Sequence, residues 1–188
     1  MGSKKFYQPI DNGFHCQKVD HLLLKEKYEL SRFTECLQKD KIALRIFPDA
    51  VLRERAQPVC TFDHALQAFS DRMFAFMKRN KGIGLAAPQV GVLYQILVAD
   101  IQGVDHCLVN PEILVLSKEA DCETEGCLSL PERWFTVTRP MQIEVQGRSP
   151  KGEKRQFEAS GLSARVLLHE IDHLNGVLIC DKGSEIKS

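Results

Sequence analysis

Residues 160–176 read SGLSARVLLHEIDHLNG, and this stretch decides the fold. His169 and His173 stand four apart, so on a helix their imidazoles share a face and can reach one metal ion. Glu170 lies about 100° round the axis from His169, beside such an ion yet able to stay off it. Leu162, Val166, His169 and His173 follow offsets of 4, 3 and 4 and form one stripe. Leu167, Leu168, Ile171 and Leu174 cover the other side, so a helix over 161–174 is apolar nearly all round and belongs in the core. Ser160 is placed to cap its start, and Asn175-Gly176 supplies a left-handed stop. Two histidines and an acid on a core helix are costly unless paired, which favours a metal over two merely hydrogen-bonded histidines with a surface glutamate.

The helix alone does not complete a site. Of the continuation H-E-x-x-H-x-x-G-x-x-H, Gly176 is in place but Ile179 stands where the third ligand belongs. The sole glutamate after His173 is Glu185, close to the end, so the third ligand is expected upstream. The segment Glu125-Gly126-Cys127-Leu128-Ser129-Leu130-Pro131 offers Cys127, with Gly126 permitting close backbone approach and Pro131 expected to end the segment. A thiolate with two imidazoles leaves one position for water, the catalytic arrangement. Cys122 is the competitor, since a Cys122-x4-Cys127 pair would close a four-ligand structural site.

A third stretch, Gly82-Ile83-Gly84-Leu85-Ala86-Ala87-Pro88-Gln89, begins like the dinucleotide fingerprint G-x-G-x-x-A. That fingerprint needs a strand before it and a helix opening within it; Lys78-Arg79-Asn80-Lys81 precedes it, and Pro88 obstructs the helix. A loop over 82–91 suits a wall along an extended substrate, with Gln89 able to donate an N–H to an oxyanion, though read alone it is simply a tight turn.

Working outward, Leu66, Phe69, Met73, Phe76 and Met77 predict a helix over 62–79. Strands are expected at 94–100, 106–109, 112–117, 134–138, 141–147 and near 153–158. Helix, strands, then helix gives an α+β class: mixed, mostly antiparallel sheets packed around the C-terminal helix. Residues 1–40 are read as an N-terminal extension ahead of a single domain over 41–188. Leu23, Leu30, Phe33 and Leu37 predict an amphipathic helix over about 20–38, docked on its own domain or serving a dimer or partner.

Composition narrows the function classes. Of 188 residues, 44% are hydrophobic and the formal net charge is +0, which disfavours a general nucleic-acid or anionic-membrane binder. No apolar run approaches a membrane span. Seven cysteines without framework spacing, and no apolar stretch behind Met1, suggest a reducing cytoplasm.

Gly82–Gln89, Glu125–Ser129 and His169–His173 match, in order and intact, the motifs G-x-G-L-A-A-x-Q, E-G-C-L-S and H-E-x-D-H, and here the chain resembles the peptide deformylase family. Flanking similarity runs from about Phe47 to Cys180. The resemblance implies removal of the N-formyl group from the initiator methionine of nascent polypeptides, releasing formate. It implies one divalent ion on Cys127, His169 and His173, Fe(2+) in the cell, with Zn(2+), Ni(2+) or Co(2+) accommodated in purified protein. Glu170 would move the proton, and Gln89 and the Leu128 N–H would hold the oxyanion. Backbone groups of Ile83, Gly84 and Gly126 would pair with the peptide, Leu162 and Val166 would line the methionine pocket, and Arg133 would brace the loop. The implied partner is an N-formylmethionyl peptide near the ribosome. No membrane or sequence-specific nucleic acid is implied, and a monomer is favoured over a dimer through the 20–38 helix. Leu168 departs from the glutamine many members carry, and the segment after Cys180 shows neither a long helix nor an evident closing strand. The competing readings are an H-E-x-x-H metallopeptidase and a non-catalytic, metal-stabilised binding protein.

Overall fold

Asp63 caps the first long helix: its carboxylate accepts the Leu66 N–H at 2.9 Å, and α1 (His64–Arg79) follows. Leu66, Phe69, Met73, Phe76 and Met77 all lie buried on one face of α1, as their spacing requires. The computed structural model describes residues 42–186 together with Lys5, Phe6 and Glu35.

Among the described residues the larger sheet has six strands. Along it run β2 (Gly84–Ala86), β3 (Ile96–Ile101), β4 (Val104–Leu116), β7 (Gln142–Arg148) and β8 (Lys154–Ser160), with β1 (Lys5–Phe6) paired to Val115 and Leu116 of β4. The smaller sheet orders β5 (Ala120–Cys127), β6 (Leu130–Pro140) and β9 (Gly183–Glu185). Every strand pair is antiparallel, and an isolated parallel bridge joins Gln57 to Tyr94. Two further helices are α2 (Leu162–Leu174) and the single turn α3 (Ile179–Lys182). Alternation along β3 divides the core: Ile96 and Val98 pack with α1, while Leu97 and Ala99 pack with α2. A one-residue slip of this strand would exchange the two layers.

Helix α2 runs through the interior, with every residue except Leu162 and Asp172 buried. It packs on β2, β3 and β8 and also touches β6 of the smaller sheet, so one helix joins the two sheets. The α+β architecture around this helix agrees with the sequence reading, but several local expectations change. Ser160 does not cap α2; it is held in the ladder opposite Gln142 at the end of β8, and Gly161 at φ 55° makes the turn with no side-chain cap. The stop is as expected. Gly176 has φ +72°, and a Cβ there would fall 2.4 Å from the Arg53 carbonyl oxygen, so both conformation and space demand glycine.

The strands expected at 106–109 and 112–117 are one strand, β4, because register shifts between Val109 and Glu112 and between Ile113 and Val115 carry the chain past Pro111. Pro131 does not end its segment but is the second residue of β6. The 82–91 loop carries strand β2 and a 3₁₀ turn over Ala87–Val90. Acid-rich β5 was not expected, nor was β9, a closing strand after Cys180 that pairs with Phe135, Thr136 and Val137. The expected helix over about 20–38 lies outside the described residues, Glu35 apart. No described helix is long and apolar enough to cross a membrane.

Candidate metal centre

The donors of Cys127, His169 and His173 all lie within 4.8 Å of one another. Helix periodicity sets the two rings with centroids 5.0 Å apart, and Cys127 arrives at the end of β5, its Sγ 3.2 Å from His173 Nε2. His169 Nδ1 is tied to Glu125 Oε2 at 3.0 Å, which leaves Nε2 to face the Cys127 side. These are distances that one small ion can span, and a thiolate with two imidazoles is a donor set suited to zinc, iron, cobalt or nickel. Cys122 is exposed on β5 and does not join the group, so the four-ligand alternative is not formed.

A buried ionic clamp stands behind His169. Arg139 makes two bonds to Glu125, Nε to Oε1 at 2.6 Å and Nη2 to Oε2 at 2.9 Å. Arg165 donates to Glu125 Oε1 at 2.7 Å and to the Val137 carbonyl at 2.8 Å. Arg139 also reaches Asp172 Oδ2 at 2.8 Å, and Lys182 meets the other Asp172 oxygen at 2.9 Å. Burial alone would raise the Glu125 pKa, but bonds from His169 and Arg139 outweigh it and hold the carboxyl at about 2. Sequence reading named Glu125 and Asp172 only as motif members. Arg139 and Arg165 carried no signal, since each approaches Glu125 only after the sheets fold.

Glu170 occupies different ground. It is 4% exposed, and its Oε2 has no hydrogen-bond partner among the described residues. Burial dominates and pushes its pKa up to about 7, against the opposing charges of His169 and Arg139. A Cβ at Gly84 would fall 2.2 Å from Glu170 Oε1, so glycine is what lets β2 pass beneath this carboxylate. For His169, burial lowers the pKa but the hydrogen bonds to Cys127 and Glu125 win and raise it to about 10. Burial, then the charges of His169 and Arg139, hold His173 well below the usual imidazole range. Its Nδ1 is also buried without a partner among the described residues.

Gln89 faces the same group from the 3₁₀ turn. Its Oε1 accepts the Ala86 N–H at 2.8 Å, and its Nε2 points to Cys127 Sγ at 3.6 Å and Ser129 Oγ at 3.3 Å. Leu128 lies in the two-residue turn between β5 and β6, half-buried and packed against the α1 core. Ile83, 49% exposed, precedes β2, and Gly126 lies on β5 opposite Trp134. Val166 is buried on α2, whereas Leu162 is 67% exposed at the helix mouth, an outer rather than an enclosed position. Arg133 does not approach the donors but pairs with Glu185 at 2.6 Å, tying β6 to β9.

An H-E-x-x-H helix in an α+β frame, with a third donor from a neighbouring strand and a glutamate beside the donors, defines the class of helix-borne metallohydrolase centres. A family profile described as "Polypeptide deformylase" matches residues 42–188. A peptide deformylase of Thermotoga maritima is 44% identical over 144 residues, 77% of this chain and 88% of its own length. "Peptide deformylase 1" of Clostridium acetobutylicum is 43% identical over 143 residues, covering 76% and 95%. The crystal structure of the Thermotoga maritima enzyme superposes with a TM-score of 0.75 at 43% identity, covering 76% of this chain and 97% of that one. The chain belongs to the peptide deformylase family.

Proposed function

We propose that this protein hydrolyses the N-formyl group from the initiator methionine of nascent polypeptides, releasing formate. One observation carries the reading: three mixed S/N donors converge within 4.8 Å beside a buried glutamate whose Oε2 has no partner among the described residues. Cys127, His169 and His173 hold one divalent ion, Fe(2+) in the cell, with zinc, nickel or cobalt able to replace it. When bound, the ion acts as a Lewis acid that brings water deprotonation towards neutral pH.

Each side chain then has a stated task. Glu170 Oε2 accepts the proton of the attacking water and returns it to the leaving amine. Gln89 Nε2–H and the Leu128 N–H donate to the oxyanion that develops at the formyl carbon. Backbone groups of Ile83, Gly84 and Gly126 align the peptide between β2 and β5. Val166 and Leu162 receive the methionine side chain, Val166 at the wall and Leu162 at the rim. The buried Glu125 clamp holds His169 in one ring orientation and one tautomer.

The catalytic unit is residues 41–188, with 1–40 as an extension. It acts as a cytoplasmic monomer near the ribosome, without sequence-specific nucleic-acid contacts. Among the described residues, Cys107, Cys122, Cys127 and Cys180 form no disulfide, which fits a reducing setting. Formate release from formyl-Met-Ala-Ser by anaerobically iron-loaded protein tests the reading. Turnover on the formylated peptide with none on the unblocked peptide is expected. Cleavage of an internal, unblocked bond would point instead to a metallopeptidase.

A further inference from the structure

Gln89 is a side chain whose orientation is decided by chemistry. The Ala86 N–H can only donate, so the Gln89 atom 2.8 Å from it must be the carbonyl oxygen, and the NH₂ must face the opposite way. That NH₂ carries two protons. One is directed at Ser129 Oγ, 3.3 Å away, and the other side of the nitrogen looks towards Cys127 Sγ at 3.6 Å. Ser129 is fully buried at 0% exposed, and Gln89 is 1% exposed, so no solvent competes for this contact. The backbones of both residues are pinned by the same extended segment: the Arg45 N–H donates to the Gln89 carbonyl at 2.7 Å and the Phe47 N–H to the Ser129 carbonyl at 2.9 Å.

From these contacts we infer that Ser129 is a positioning residue for deformylation: by engaging one Gln89 N–H, its hydroxyl keeps the other on the Cys127 side, the side on which the formyl carbonyl is proposed to react. The inference rests on the deformylase reading and adds a residue to it. A primary amide gripped only at its oxygen can still swing about its terminal torsion, which is broad and nearly two-fold. Ser129 supplies the second grip, so the donor is in place before charge develops and no reorientation is needed at the moment of reaction. Ser129 itself touches neither substrate nor ion; its effect passes through Gln89.

The test is a double-mutant cycle in formate release with the full chain, combining Ser129→Ala, Gln89→Ala and the double variant. Losing one neutral hydrogen bond should lower kcat about tenfold in Ser129→Ala with KM unchanged. Gln89→Ala should lose about 10²–10³-fold. The double variant should match Gln89→Ala, because Ser129 has nothing left to position. Equal, multiplicative losses in both backgrounds, or full activity in Ser129→Ala, would overturn the inference. A second readout is independent of turnover. In ¹⁵N-labelled, zinc-loaded protein, the carboxamide pair missing from Gln89→Ala identifies Gln89, and one of its protons should exchange at least tenfold faster once Ser129 is alanine. Unchanged exchange counts against Ser129 whatever the activity. Absence of formate release from the parent protein would sink the deformylase reading alone, since the exchange result still decides the Ser129 contact.

Discussion

Glu125 and Glu170 are both nearly inaccessible and both serve one site, yet their surroundings drive them in opposite directions. Glu125 meets two arginines and an imidazole and sits at about 2; Glu170 has burial without a cation on its free oxygen and sits at about 7. In the proposed mechanism the first is a charged structural group, while the second exchanges a proton. Identical side chains acquire distinct roles from what packs around them, and the contrast separates the frame of the site from its chemistry.

The largest break in this comparison should come from Glu170→Gln. It keeps the shape and removes the proton acceptor, so formate release should fall about 10²–10⁴-fold with metal content unchanged. Glu125→Gln should fail in a different currency. Arg139 keeps Asp172 and Arg165 keeps Asp121, so the loss of the shared carboxylate charge should cost about 1–3 kcal/mol in urea unfolding. A loosened His169 should also weaken metal affinity by about 10–100-fold in a competition titration. Gly84→Ala sharpens the contrast from the other side. Its new Cβ falls on Glu170 Oε1, so kcat should drop by about 10² while metal affinity changes little, and the overpacking should cost about 1–3 kcal/mol in urea unfolding.

The smallest effect is a pH signature in metal-stripped protein. Glu125 has its folded pKa depressed from 4.5 to about 2, so its stabilisation is complete above 4.5 and is lost as pH falls towards 2. Glu170 has its folded pKa raised from 4.5 to about 7, so stability is greatest below 4.5 and declines as pH rises through 7. Unfolding measured across this range should show the acid slope in both proteins, and between pH 4.5 and 7 the parent should lose stability relative to Glu170→Gln.

The parts legible in the sequence are those written in local spacing. The stripe Leu162, Val166, His169 and His173, the left-handed Gly176 and the apolar face of α1 each follow from offsets within one element. The parts that were not legible depend on partners far along the chain. β5 was not among the expected strands, because Glu125 becomes a buried residue only when Arg139 and Arg165 reach it. β4 looked like two strands because its bulges let a proline stay within the ladder, and Pro131 likewise proved no barrier to β6. β9 is three residues long, and it exists by pairing with β6 rather than by propensity. Among the candidate site residues, Cys127, His169, His173 and Gln89 were visible as residue types in motifs. Ser129's contact with Gln89 was hidden because it crosses from one motif to another.

X-ray absorption on protein loaded with a single equivalent of cobalt or iron tests the central assignment most directly. The account predicts one sulfur at about 2.3 Å, two imidazole nitrogens and a light-atom ligand from solvent. Two sulfurs, or a shell lacking sulfur, would contradict it.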